Sequence, residues 1–126
     1  MLNRNLKRSL ILGLFAVVSL SKPASANDCT PADASLAGHY YLQGVTEVGS
    51  ELLLRSDGSF EYALAYGNMD QAANGCWSRS EEGVVLISSS SFFKSQPFTR
   101  LDLKLNKDHG LIYKMGDSVE GTYVIQ

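Results

Sequence analysis

Strict alternation of apolar and polar residues constrains this chain more than any other feature. Leu101-Asp102-Leu103-Lys104-Leu105-Asn106 is its clearest stretch. A two-residue period puts every second side chain on one face of a strand and is incompatible with the 3.6-residue period of an amphipathic helix. Phe60-Glu61-Tyr62-Ala63-Leu64-Ala65-Tyr66 repeats the pattern, as do the pairs Tyr40 and Leu42, Leu52 and Leu54, Leu111 and Tyr113, and Tyr123 and Ile125. Eight strands are expected, near 38–45, 49–56, 59–66, 75–80, 84–89, 99–106, 110–115 and 119–125. No stretch carries a sustained helical period, so the fold class is all-β.

Turn chemistry sets register. A two-residue Asp57-Gly58 loop would place Leu54 opposite Glu61 and Arg55 opposite Phe60, mixing charge with core on both faces. A three-residue loop with Gly58 in the left-handed region pairs Leu54 with Phe60 and Leu52 with Tyr62 instead. Because a one-residue slip flips every side chain, the apolar pattern selects the second loop. The same reasoning pairs Leu105 with Leu111 and Leu103 with Tyr113, and sets Asp102 opposite Lys114 on the outer face.

Eight short strands leave exposed edges unless the sheet closes, and eight are enough for side chains to fill a barrel. A small antiparallel up-and-down barrel of lipocalin-like form is expected, with a flattened β-sandwich as the alternative. The expected inward set is Tyr40, Leu42, Leu52, Leu54, Phe60, Tyr62, Leu64, Trp77, Val85, Ile87, Leu101, Leu103, Leu105, Tyr113, Tyr123 and Ile125. Two connections are longer. Asn68-Met69-Asp70-Gln71 has the N-x-x-Q spacing of a capping box and is expected to start a helical turn. The loop from Ser88 to Pro97 brings Phe92 and Phe93, with Phe98 just beyond. Those rings either plug one barrel end or, with Tyr66, offer an apolar contact to a ligand or partner.

The N-terminus reads as a processing signal. Arg4, Lys7 and Arg8 precede the uncharged apolar run Leu10 to Leu20, and Ala24-Ser25-Ala26 supplies a small-x-small cleavage site. The run is shorter than the ~20 residues a bilayer span requires. Residues 1–26 are therefore expected to be a cleaved signal peptide and 27–126 a single β-barrel domain, located in the periplasm or secreted. Removing the leader takes four cations and no acid, so the formal charge moves from −2 to −6. An acidic exported domain argues against nucleic acid and anionic membrane surfaces as partners, which both select basic patches.

Cys29 and Cys76 are the two cysteines, and in an oxidising compartment they are expected to pair. The bridge would close a loop on the order of 50 residues, worth roughly 4 kcal/mol in the chain-entropy treatment.

Catalytic and metal patterns are missing from the sequence. His39 and His109 are its two histidines and show no ligand spacing with carboxylates or cysteines. No G-x-S-x-G elbow occurs, and Glu51 and Glu61 fall on the polar face of the chosen register. Asp57 is accounted for as a turn residue. No cofactor, metal site or catalytic residue is assigned. The expected role is non-catalytic binding of a small apolar ligand or an envelope protein.

Leu36-Ala37-Gly38-His39-Tyr40, Ser50-Glu51-Leu52-Leu53-Leu54, Asp57-Gly58-Ser59-Phe60, Tyr66-Gly67 and Gly75-Cys76-Trp77 resemble the rhythm of small proteobacterial periplasmic proteins with lipocalin-like barrels. The opening is also similar to that of periplasmic metalloprotease inhibitors, disulfide-bonded barrels whose free N-terminal segment enters the protease cleft. That resemblance implies a second role, inhibition of an exported hydrolase such as a protease or lysozyme. Cys29 departs from the pattern, since a bridge there leaves little free arm, and no inhibitory residue is carried over.

Overall fold

A computed structural model describes residues 29–89 and 96–126. A 3-10 turn, Ala34–Leu36, leads into eight strands: β1 (Gly38–Gln43), β2 (Val48–Leu54), β3 (Ser59–Tyr66), β4 (Met69–Arg79), β5 (Gly83–Ser88), β6 (Arg100–Leu105), β7 (Leu111–Lys114) and β8 (Glu120–Ile125). Every neighbouring pair is antiparallel, and β8 returns to β1, so the sheet is a closed up-and-down barrel and not a sandwich.

The β2–β3 register follows the turn argument. Leu54 lies opposite Phe60 and Leu52 opposite Tyr62. Gly58 has φ +92°, which its missing Cβ permits. Asp57 accepts from Ser59 N at 2.8 Å and Ser59 Oγ at 2.7 Å, the side-chain bonding expected of a turn aspartate. Leu105 meets Leu111 as expected. That ladder ends at Lys104 and Ile112, short of the expected Leu103–Tyr113 and Asp102–Lys114 pairs, and Asp102 is held instead by Arg100 on its own strand at 3.2 Å.

Three expectations are corrected. Residues 67–74 form no helical turn. Gly67 and Asn68 are a two-residue hairpin loop, Gly67 has φ +61°, and β4 begins at Met69. Glycine at the first loop position matches the twist of the flanking strands, and continued pairing to β3 outweighs a weak capping pattern. Second, β5 has the opposite phase: Val84 and Leu86 are fully buried, while Ile87 is 46% exposed and Val85 half-buried. Four consecutive apolar residues carry no period, so phase is imposed by the neighbours, with Leu86 opposite Trp77 and Leu101, and Val84 opposite Leu103. Third, Ile125 keeps the inward phase but lies at the end of β8, 55% exposed, against Gly38.

Side chains fill the interior. Tyr40, Leu52, Leu54, Phe60, Leu111 and Tyr123 are essentially inaccessible, and Leu36 enters from the 3-10 turn. Tyr40 donates its hydroxyl to Leu36 O at 2.7 Å, fastening that turn to the core. The segment before β1 covers one end of the barrel. Cys29 is bonded to Cys76, Ala32 N donates to Ser56 O at 3.0 Å, and Arg79 reaches Asp33 at 2.7 Å. A Cβ on Gly58 would lie 2.0 Å from Thr30 O, so this cover requires glycine in the β2–β3 turn. Trp77 completes the seal, donating its backbone N–H to Gly58 O and its indole Nε1–H to Arg55 O, each at 2.7 Å.

Candidate functional site

Strand direction places the β1–β2, β3–β4 and β7–β8 connections, with the long β5–β6 connection, at the end opposite the disulfide. Phe98 precedes β6 and packs into the interior, its ring 5.1 Å from Tyr62 in an edge contact and 6.2 Å from Phe60. It acts as a plug. Phe92 and Phe93 lie outside the described residues. Tyr66 is 51% exposed and shares a rung with Val48 and Met69, so an apolar row marks the rim. The structure thus separates two residues that the sequence reading grouped: Phe98 is partly buried against the core, and Tyr66 lies on the rim.

Below that rim the interior is partly polar. Ser50 Oγ donates to Ala63 O at 2.6 Å and lies 2.6 Å from the Tyr123 hydroxyl. The Tyr62 and Tyr113 hydroxyls are 3.4 Å apart, and the Tyr113 ring stacks on Tyr123 with centroids 5.9 Å apart. Burial, which penalises the phenolate, holds the Tyr62 and Tyr123 phenols well above their ordinary range. These hydroxyls remain protonated and serve as neutral hydrogen-bonding groups rather than as bases.

The concave surface lies outside the barrel. Two adjoining depressions of about 860 and about 820 Å³ share His39, Glu51, Ala63, Asp70 and Gln71, and together form a trough across β1–β4. Its depth has a local cause. Gly49, Ala63, Ala65 and Ala72 provide a floor with almost no side chain, while Tyr41, Glu51 and Asp70 rise around it. Register brings these residues together: Glu51, Ala63 and Ala72 share one rung, and Gly49, Ala65 and Asp70 another.

His39 Nε2 is 2.8 Å from Glu51 Oε1, and the His39 ring stacks on Tyr41 at 4.6 Å. Glu61 is held by Arg55, while Asp70 has no ion pair or side-chain hydrogen bond among the described residues. Sequence reasoning placed Glu51 and Glu61 correctly on the outer face but passed over the trough. Its floor residues lie on separate strands, and their one common signal is small size at outward positions. Among the described residues, no cluster of three or more histidine, cysteine or carboxylate side chains is arranged for a metal ion, and no helix is long and apolar enough to cross a membrane.

Compared with protein-family profiles, curated proteins and solved structures, the chain has no match.

Proposed function

We propose that this chain is a non-catalytic binding domain of the periplasm or extracellular space that meets a protein partner on its outer wall. The filled interior carries this reading. A carrier for a small apolar ligand needs an enclosed apolar volume. Here Phe60, Tyr123, Leu52 and Leu111 occupy that volume, and Phe98 packs against Phe60 and Tyr62. The Cys29–Cys76 bridge supports an oxidising compartment. An exported hydrolase is one class of partner this reading admits.

The test is photo-crosslinking in living cells, with a photoreactive phenylalanine analogue replacing Tyr41 on the trough wall and, as control, at Lys104 on the opposite outer wall. A discrete protein adduct from position 41 and none from position 104 is expected. Equal adducts from both positions, or none from position 41, would overturn the reading.

A further inference from the structure

We propose that the trough across β1–β4 receives an extended, cationic segment of the partner protein. This rests on the protein-docking reading above and specifies the chemistry of what docks.

Charge is the first argument. The lining includes the carboxylates of Glu51, Glu61 and Asp70, and no lysine or arginine among the described residues. Among the described residues, two of these carboxylates are positioned by one partner each and keep an oxygen free. Glu51 uses Oε1 for His39, and Glu61 uses Oε2 for Arg55. A carboxylate accepts at both oxygens, so Glu51 Oε2 and Glu61 Oε1 can still take an incoming ammonium or guanidinium. Asp70 has both oxygens open among the described residues. An anionic partner such as nucleic acid would meet repulsion along the whole lining.

Spacing is the second. Glu51 lies opposite Ala63 and Leu53 opposite Glu61, which makes Glu51 and Glu61 diagonal neighbours on adjacent strands. Such positions are about 7–8 Å apart, close to the ~6.6–6.8 Å between alternate side chains of an extended chain. Asp70 sits farther along, two strands over from Gly49. An extended segment with basic residues at alternate positions therefore matches the Glu51–Glu61 spacing, and Asp70 adds a third carboxylate farther along the trough. The floor is the third argument: Gly49, Ala63, Ala65 and Ala72 leave room for a backbone to lie against the wall, which larger outward side chains would prevent.

The experiment titrates the intact domain with a fluorescently labelled peptide of alternating lysine and alanine, using a matched glutamate–alanine peptide as control, and follows anisotropy. Saturable binding of the basic peptide alone is expected, falling with added salt. Asp70→Asn should weaken it about three- to fivefold, whereas Asp102→Asn, an equal charge change on β6, should leave it unchanged. Ala63→Arg should weaken it more than about tenfold by filling the floor and placing a cation among the carboxylates. Thermal melts of each variant establish that the fold persists. Equal effects of Asp70→Asn and Asp102→Asn would overturn the proposal, since binding would then follow net charge and not the trough. A partner crosslinked at position 41 through a neutral or acidic segment would overturn the cationic assignment while leaving protein docking intact.

Discussion

Ser50 Oγ and the Tyr123 hydroxyl meet at 2.6 Å inside the barrel, joining β2 to β8 across 73 residues of sequence. The contact is asymmetric, because Ser50 also donates to Ala63 O. Ser50→Ala strands the buried Tyr123 hydroxyl and should cost about 1–3 kcal/mol. Tyr123→Phe leaves Ser50 with its carbonyl partner and should cost less, about 1 kcal/mol. Urea denaturation of the two variants checks the order, and a larger loss in Tyr123→Phe would contradict it.

The buried phenols set an alkaline limit. Burial first raises Tyr62 and Tyr123 above the free-tyrosine value of 10.0. A group whose folded value is raised contributes stability that is fully present below its unfolded value and is lost as pH climbs above it. Their contribution to stability should therefore be constant below about pH 9 and be lost above about pH 10, with the buried phenols ionising only as the barrel unfolds. Phenolate absorbance and circular dichroism, followed together, should change in one step for these residues.

Acid acts at the covered end. Asp33 caps the 3-10 turn through Ser35 and pairs with Arg79, and those bonds, the Ser35 hydroxyl first, lower its carboxyl from 3.8 to about 2. A lowered folded value means stability present above the unfolded value and lost as pH falls from about 4 towards 2. Asp33→Asn keeps a capping side chain and loses the ion pair. It should flatten this part of the pH–stability curve, which thermal melts across the range will show.

The phase of β5 is tested by paired truncations. Leu86→Ala should cost about 2–5 kcal/mol, because it opens a cavity between Trp77 and Leu101. Ile87→Ala, on the exposed face, should cost less than about 1 kcal/mol. The reverse order would restore the phase expected from sequence.

Legibility differed by residue for physical reasons. The β2–β3 and β6–β7 registers could be read because Asp57-Gly58 and the Leu101–Asn106 alternation each leave one pairing that keeps charges out of the core. β4 was hidden from Met69 to Asn74, where small and polar residues with weak strand preference pair along β3 and only Ala73 is buried. In β5, Val84-Val85-Leu86-Ile87 offered no period, so its phase waited on contacts with β4 and β6. The disulfide was legible from cysteine count and compartment. The trough was not, because Gly49, Ala63 and Ala72 become neighbours only through the register of three strands.

Opening the Cys29–Cys76 bridge releases the segment that covers one end. Cys29→Ser with Cys76→Ser should lower stability by about 4 kcal/mol, since the paired residues are 47 apart in sequence. Urea midpoints of the variant and the oxidised protein provide the check.

The barrel is filled by its own side chains, and its proposed contacts lie on the outer wall. Fluorescence titration of the intact domain with a dansylated fatty acid tests this most directly. Weak, non-saturating emission, indifferent to Phe98→Ala, is the expected result. Saturable one-to-one binding with the blue shift of an enclosed probe would contradict the account and return the function to an apolar ligand held within the barrel.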